Sequence, residues 1–450
     1  MGRQKRIWRV GALAVAVLWA LAAEPRAQVA DPLLAPEMDA SFSRMLRDPG
    51  NLELTFAYAG IAARAGNYEG AIAALERMLL IEPDLPRVRL ELGVLYFRLE
   101  SLDLARSYFV AALAGDTVPD DVRSRVAQFL AEIDKRQSRH KFSGSVLTGL
   151  RYQTNANSGY GSEAVPIPAI AGNDPVDAGS GRRDDWNLFS ALTATHVFDM
   201  GGQRNESWET GFSLYGTRQN HVHALNTALA EVSSGPRFSL ADAGLEFGTL
   251  RPYALANLVT LKDNRYFHSG GGGLQFQNPL AGNLLLALGY ETRTKNYRTD
   301  ASRRTVRLQN GTEHAATAGL TYVLTARDSF SANASASRDL ARSGVKRVDR
   351  RGFTLGYTRK QPPPAWLGSE PWSLSATAGR HLSDYRSPDG TIDADTRRGD
   401  REWRYSALVG VPLTDSLSGV VVVQRQTVSS SYLINKYRNE SVTLGISKIF

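Results

Sequence analysis

Apolar residues recur with a helical period through the first third of the chain, and the pattern then repeats itself. Two similar stretches lie 34 residues apart, YAGIAARAGNYEGAIAALERMLLIEPD and LGVLYFRLESLDLARSYFVAALAGD. Small residues recur where one helix would approach its neighbour, and large apolar residues recur in the layer between. Each stretch therefore predicts a pair of packed helices. The residues predicted to pack the repeats are Tyr58, Ala71, Leu75, Pro83, Gly93, Tyr96, Ala105 and Phe109.

This period resembles the tetratricopeptide repeat, in which helix pairs stack into a solenoid. Pro49 lies 34 residues before Pro83, so residues 36–48 are interpreted as half of a further repeat. Helical spacing of apolar residues predicts a capping helix at 120–136. We assign residues 35–136 to a short helical domain and residues 137–141 to a linker. The resemblance implies a concave face that binds peptides or helices; the alternative is that the repeats only orient the rest of the chain.

From about residue 142 the pattern changes from helical spacing to strict alternation of apolar and polar residues. Fourteen such segments follow, separated by clusters of Gly, Asn, Asp, Ser and Pro. Soluble strands average about five or six residues, whereas strands of membrane barrels run to about ten, and these segments are of the longer kind. The fold class predicted is therefore α + membrane β-barrel: a short α-solenoid, then an antiparallel transmembrane barrel of about 14 strands over residues 142–450.

The connections between these segments mostly alternate between long and short. Outer-membrane barrels show the same alternation, with long outer loops and short periplasmic turns. The fourth segment is predicted at 237–248, after a long loop at 220–236. Two connections fit poorly, because the turn predicted at 362–371 is long and the loop predicted at 263–264 is short. The strand count is therefore predicted only to between about 12 and 16.

The N-terminus predicts export from the cytosol. Basic residues precede the apolar run VGALAVAVLWALAA, and Ala20 and Ala22 offer a cleavage site after it. Residues 1–22 are therefore predicted to be a secretory signal peptide. The run is shorter than the roughly 20 residues that a spanning helix needs. The chain contains no cysteine, which excludes disulfides, thiolate metal sites and acylation on cysteine.

Charge and candidate chemistry point away from nucleic acid and from catalysis. The formal net charge is +8, which solvated arginines in the lumen and loops explain most simply; anionic lipid, lipopolysaccharide or an acidic client is the alternative. No phosphate-binding loop is present in the sequence. The closest histidines, His221 and His223, lie in a predicted outer loop without a third ligand nearby in sequence, and the glycines at 270–273 are interpreted as a thin stretch of barrel wall. We therefore expect no enzyme activity, cofactor or metal site.

The last strand carries a pattern of its own. Its apolar residues alternate with small and polar ones, and the sequence stops at an aromatic residue. This ending resembles that of outer-membrane proteins, whose final strand is recognised by the barrel-assembly machinery. Lys448 departs from a wholly apolar row. The residues predicted to form the assembly signal are Val442, Leu444, Ile446 and Phe450.

Residues 35–450 resemble the surface lipoprotein assembly modulator (Slam) family. The stretch GLRYQTNANSG at 149–159 is similar to the family's first strand, which runs into a Tyr-Asp-Ser-Asn-x-Asn pattern. Tyr152, Asn155 and Asn157 match that pattern, whereas Gln153 and Thr154 depart from it. The ending LGISKIF is similar to the family's Ser-Lys-Leu-Phe type of ending.

The resemblance implies an outer-membrane translocon with its helical domain in the periplasm. Members of the family move particular lipoproteins, or soluble haem-carrier-like proteins, to the cell surface, a route called type XI secretion. The implied partners are a client protein, the barrel-assembly machinery, outer-membrane lipid and periplasmic chaperones that deliver the client. A solute channel or polysaccharide-export barrel on a tetratricopeptide scaffold is the alternative, although exporters of that kind usually carry many more repeats.

Overall fold

The computed structural model describes residues 34–450 except 115–117, 119, 161–180, 203, 205, 300–303 and 365–369. The chain divides into two compact units, one helical and one built from strands, whose sequences meet between Ser138 and Arg139. The predicted signal peptide at residues 1–22 lies outside the described residues. Within the described part of the chain, no helix is both long and apolar enough to cross a membrane.

The helical unit contains six α-helices among its described residues. Asparagine side chains begin two of them: Asn51 accepts hydrogen bonds from the backbone N–H groups of Glu53 and Leu54, and Asn67 accepts one from Gly70. These caps satisfy donors that the first turn of a helix leaves unpaired. The helices are α1 (Ala35–Arg47), α2 (Leu52–Arg64), α3 (Tyr68–Ile81), α4 (Pro86–Arg98), α5 (Leu102–Ala112) and α6 (Asp120–Gln137).

Two apolar clusters form the core of the helical unit. The first joins α1 to α4 around Leu75, and the second joins α4 to α6 around Phe109. Ala71 and Ala105 are fully buried, and their small side chains let neighbouring helices approach closely. Of the predicted packing residues, Tyr58, Ala71, Leu75, Gly93, Ala105 and Phe109 are buried, Tyr96 is half-buried and Pro83 is exposed after α3.

Two glycines in the helices are expected to respond oppositely to substitution by alanine. A Cβ atom at Gly93 would lie 2.6 Å from the buried Phe109 ring, whereas one at Gly60 would meet nothing within 4 Å. Gly93→Ala should cost about 1–3 kcal/mol through overpacking, and Gly60→Ala should stabilise α2 by about 0.5–1 kcal/mol. Urea unfolding of the full chain, followed by the helical circular dichroism signal, measures both. Equal shifts of the midpoint would contradict the close contact at Gly93.

The second unit is a closed antiparallel barrel. Each strand pairs with its sequence neighbours, and β1 pairs with β14 to complete the ring. The strands are β1 (His140–Gln153), β2 (Asp185–Asp199), β3 (Ser207–Gln219), β4 (Thr227–Ser239), β5 (Thr249–Leu261), β6 (Asn264–Ala281), β7 (Leu284–Tyr297), β8 (Gly311–Val323), β9 (Asp328–Ala341), β10 (Val348–Gln361), β11 (Trp372–Tyr385), β12 (Gly399–Pro412), β13 (Leu417–Ser430) and β14 (Tyr437–Ile449).

Alternation along the strands separates an apolar exterior from a polar lumen. In β14, Val442, Leu444 and Ile446 are 43%, 57% and 49% exposed, whereas Ser441 and Thr443 are buried. Successive side chains of a strand point to opposite faces, so the exposed apolar rows lie on the outer surface. An apolar outer band around a polar interior is the arrangement of membrane barrels. The predicted fold class, an α-solenoid followed by a transmembrane barrel, is confirmed, and the strand count is fourteen.

The predicted position of the fourth strand is wrong. The sequence predicted a strand at 237–248, but β4 spans Thr227–Ser239, and a short 3-10 helix at Ala241–Ala243 follows it. The sequence predicts a loop at 220–236, which includes Gly235 and Pro236, and proline cannot donate a hydrogen bond to a strand ladder. The barrel accommodates them: the pairing of β4 with β5 is interrupted between Ser234 and Phe238 and then resumes.

The two ends of the barrel carry different connections. The predicted short loop is a two-residue turn at Lys262 and Asp263, whose φ angles of 52° and 62° are left-handed, as tight hairpins require. The turn predicted at 362–371 joins β10 to β11 and is only partly described. We call one end the loop end; it carries the connections 154–184, 220–226, 262–263, 298–310, 342–347, 386–398 and 431–436. The opposite end is the turn end.

Candidate functional site

Three helices of the solenoid meet at one carboxylate. Tyr96 of α4 donates a hydrogen bond to Glu76 Oε1 of α3 at 2.8 Å, and Tyr108 of α5 donates to the same oxygen at 3.2 Å. The two rings stack with centroids 5.4 Å apart. Burial and the Glu76 carboxylate raise the pKa of Tyr96 to about 12 and also raise the pKa of Tyr108. Both phenols therefore stay protonated, and the cluster ties the two repeats together.

The helical unit also exposes large apolar side chains that its own core does not use. Leu80 is 85% exposed at the end of α3, beside Ile81, and Leu104 and Val110 are exposed along α5. Scattered exposed leucines are ordinary in soluble proteins, but on a repeat solenoid they provide apolar surface for a bound peptide or helix. These residues are candidate surface for contact with another polypeptide.

The residues that match the family's first-strand motif organise the loop end beside β1. Tyr152 lies on the outer surface against Trp186, with ring centroids 5.0 Å apart. Asn155 is buried; its side chain bonds both backbone groups of Gly159 and donates to the carbonyl of Arg438. Asn157 accepts from the backbone N–H of Arg183 and donates to a carbonyl at Gly181. The asparagines thus fix the turn after β1 and connect it to β14.

The predicted assembly signal lies at the closure of the barrel. Phe450 donates its backbone N–H to Gly144 at 3.0 Å and accepts from Gly144 at 2.8 Å. A Cβ atom at Gly144 would lie 2.6 Å from the Phe450 ring, so the ring lies directly against the glycine. The outward row of β14 ends in this contact. The role of these residues in recognition by the assembly machinery stays a prediction.

One arginine joins non-adjacent strands across the lumen surface. Arg293 of β7 contacts Glu231 of β4 at 3.1 Å and donates to Glu291 of its own strand at 2.7 Å. Tyr253 of β5 donates to Glu291 at 3.2 Å, and a Cβ atom at Gly273 of β6 would lie 2.5 Å from the Tyr253 ring. The glycine run at 270–273 lies within β6. Because Gly273 of β6 has no side chain, Tyr253 of β5 and Glu291 of β7 can contact each other across β6.

A second charge cluster lies in the lumen nearer to the loop end than Arg293 does. Lys295 is 1% exposed, and its Nζ atom contacts Glu313 Oε2 at 3.1 Å and Asp339 Oδ2 at 2.5 Å. Arg350 adds a contact of 3.4 Å to Glu313. A buried cation needs such partners because removal from water disfavours an isolated charge. The cluster joins β7, β8, β9 and β10.

Further ion pairs and packed rings line the same lumen. Glu402 is fully buried and accepts from Arg404 at 2.7 Å and from Gln426 at 2.8 Å. The Tyr432 hydroxyl lies against the 386–398 connection, accepting from the N–H of Asp389 and donating to the carbonyl of Thr396. These contacts line the loop end with interlocked polar groups. An apolar cluster lies there as well, made of Val259, Tyr266, Phe267, Tyr297 and Val306.

The histidine pair singled out in the sequence has a structural environment. His221 Nδ1 lies 3.2 Å from the buried Asp185 carboxylate, which also accepts from the backbone N–H groups of His221 and Val222. His223 contacts the carbonyl of Gln219. Among the described residues, no three His, Asp or Glu side chains gather in a way that could hold a metal ion. Asp185 thus orders the 220–226 connection.

Sequence reasoning missed the lumen clusters and the carboxylate at Glu76. The charged residues of β3 to β10 were visible only as part of a polar row, and their pairing depends on strand register across several strands. One usable signal was present. The lumen-facing positions of the strands hold both basic residues (Arg or Lys) and acidic residues (Glu or Asp), which predicts that these opposite charges pair with one another. The partners themselves could not be derived from spacing.

Comparison with known proteins bears first on the helical unit. A family model described as the tetratricopeptide repeat matches residues 62–133. This match covers the end of α2 through most of α6 and supports the predicted repeats. A search of curated proteins finds no match to the chain.

Several solved structures are similar to parts of the chain. The Yersinia enterocolitica type III secretion chaperone SycD, in complex with a peptide of the translocator YopD, is 15% identical and covers 24% of this chain and 83% of its own, with a TM-score of 0.22. A thermophilic TPR protein from Thermus thermophilus is 26% identical, covering 22% and 50%, with a TM-score of 0.21. The anion-selective porin from Comamonas acidovorans is 12% identical, covering 69% and 99%, with a TM-score of 0.34.

Proposed function

We propose that this chain is an outer-membrane translocon that moves specific client proteins from the periplasm to the cell surface. One observation carries the proposal: a tetratricopeptide solenoid and a closed 14-strand barrel occur in one chain, and interlocked side chains line the loop end of the lumen. A passive pore needs no solenoid. The resemblance to the Slam family supports the same function.

The proposal assigns a role to each segment. Residues 1–22 direct export, residues 35–136 form a periplasmic client-binding domain, residues 137–141 are a linker, and residues 142–450 lie in the outer membrane. The exposed apolar residues of α3 and α5 offer surface for a client segment. A binding site tethered to the barrel raises the local concentration of client at its mouth. Client folding or capture outside the cell would drive transport, since the sequence holds no nucleotide-binding loop.

The partners follow from the same assignment. The client is a surface lipoprotein or a secreted haem-carrier-like protein, and periplasmic chaperones deliver it in an unfolded form. The barrel-assembly machinery would recognise the outward row of β14 and Phe450. Outer-membrane lipid surrounds the apolar band. No nucleic acid, cofactor or enzymatic step is part of the proposed function.

The surface proteome of living cells tests the proposal. Cells that lack this chain and cells that carry it are labelled with a membrane-impermeant biotin reagent, and both labelled and total proteins are quantified. We expect a small set of proteins to lose surface labelling without losing total abundance. If no surface protein changes while the uptake or export of solutes or polysaccharide does, the channel or exporter alternative is correct instead.

A further inference from the structure

Two arginines on the outer surface of the barrel have no acidic partner. Arg351 of β10 and Arg380 of β11 are exposed, and each shares its strand face with lipid-facing residues, Phe353 and Ala378 respectively. Among the described residues, no carboxylate lies within ion-pair distance of either guanidinium. Arg380 lies 5.1 Å above the Trp403 ring. A cation on the lipid-facing surface is costly near the bilayer midplane and nearly neutral at its boundary.

Strand register brings a third arginine to this pair. Leu382 of β11 is the direct partner of Arg351 on one side and of Arg401 on the other, and Arg380 lies two residues away on the same face. Neighbouring strands are about 4.8 Å apart, so Arg351 and Arg401 lie about 10 Å apart along the surface. Within the described part of the chain, the only ion pair that any of these three makes is Arg401 with Asp384 at 2.8 Å. The group, which we call the arginine triad, therefore keeps a net positive charge.

An apolar groove lies on the same outer face, directly toward the turn end from the triad. It has a volume of about 820 Å³ and extends from Leu284 of β7 to Arg425 of β13. Its lining combines small and larger side chains. Ala378, one of the small lining residues, is two positions from Arg380 on the same face of β11. The small residues are Ala332, Ala376, Ala378 and Ala407, and the larger ones include Tyr322, Phe330, Leu355, Tyr357 and Tyr405.

We propose that the arginine triad and the groove together bind a phosphorylated, multiply acylated glycolipid of the outer leaflet. Guanidinium groups bind phosphate oxygens in pairs of hydrogen bonds, and three of them about 10 Å apart suit a headgroup with more than one phosphate. The groove spans six strand spacings, about 29 Å, which is wide enough for several acyl chains side by side. Phosphate groups supply the missing acidic partners of Arg351 and Arg380.

This lipid site rests on the proposed function in one respect only: the proposed function places the loop end of the barrel in the outer leaflet. Its test does not involve a client, so the two can fail separately. A site that holds a lipid beside β10 to β12 would fix the depth of the barrel in the membrane at these strands.

The test measures lipid retention by the purified full chain in detergent. Hexa-acylated lipid A, phosphatidylglycerol and phosphatidylethanolamine are each titrated, and bound lipid is counted by native mass spectrometry. The variant Arg351→Gln with Arg380→Gln is compared with a matched control, Arg218→Gln with Arg359→Gln, which removes two outward arginines that have carboxylate partners. Each cation near an anionic lipid surface contributes about five-fold to binding, so the triad variant should bind lipid A about 30-fold more weakly.

A second variant tests the groove independently of charge. Ala378→Trp places a large side chain in the groove beside the triad. Ala230→Trp, at an exposed position of β4, is its control. We expect Ala378→Trp to weaken lipid A binding while Ala230→Trp does not. Equal losses in the control variants, unchanged binding in both test variants, or binding of phosphatidylglycerol as tight as that of lipid A would each overturn the proposal. Should the double arginine variant fail to assemble, Ala378→Trp decides alone.

Discussion

Removal of residues 35–136 is expected to abolish surface display of the client proteins while the barrel still assembles. The barrel is closed by its own fourteen strands, from β1 paired with β14, and uses no residue of the helical unit to complete its ring. The deletion removes the tethered client-binding surface, and tethering contributes about 10²–10⁴-fold to effective affinity. Surface labelling of the dependent proteins should therefore fall by about 100-fold or more. Heat-dependent gel mobility reports whether the barrel has assembled.

Gly60→Ala serves as the matched control for this deletion. It changes the helical unit at an exposed position where a methyl group meets nothing within 4 Å, so display should remain at the wild-type level. Normal display in the deletion strain, with an assembled barrel, would show that the solenoid does not deliver the client. Loss of barrel assembly would instead show that the two units depend on each other during folding.

Lys295→Met is expected to destabilise the barrel more than any other single substitution considered. It leaves the carboxylates of Glu313 and Asp339 facing each other at the loop end without the buried cation between them, and Arg350 reaches only part of the site. Removing one partner of a buried ion pair typically costs about 3–5 kcal/mol. Urea unfolding of the purified barrel in lipid vesicles measures the loss as a lower midpoint.

Arg204→Met is the control for this substitution. Its ion pair with Asp242 is exposed on both sides at the turn end, and exposed pairs contribute about 0–1 kcal/mol. The two variants should therefore differ by several-fold in their effect on stability. Similar midpoints for Lys295→Met and Arg204→Met would mean that water reaches the Lys295 cluster and that the loop end is more open than the structure shows.

The helical unit was predictable because repeat packing is a local pattern. Ala71 and Ala105, or Leu75 and Phe109, recur 34 residues apart since each repeat must bury the same face against its neighbour. The Glu76 cluster was not predictable, because its two tyrosines come from different helices and only the superposition of repeats brings them to one oxygen.

The barrel was predictable in class and strand number but not in every boundary. Alternation of apolar and polar residues marks strands such as β7 and β14, whereas β4 contains Pro236 and pairs with β5 through an interrupted ladder, so its position is not evident from local sequence. The asparagines after β1 matched a motif, but their bonds to Gly159, Arg438 and Arg183 exist only once β14 closes the ring. Lumen pairs such as Glu231 with Arg293 depend on the same closure.

Reconstitution shows whether this chain by itself moves client proteins across a membrane. Vesicles containing the purified chain as the sole membrane protein, with the helical unit facing inward, would enclose a client identified by surface labelling together with a periplasmic chaperone. Cleavage of that client by protease added outside is the measurement. We expect cleavage with the full chain and protection with residues 139–450 alone. Protection in both cases, with intact vesicles and assembled barrels, would contradict the proposed function.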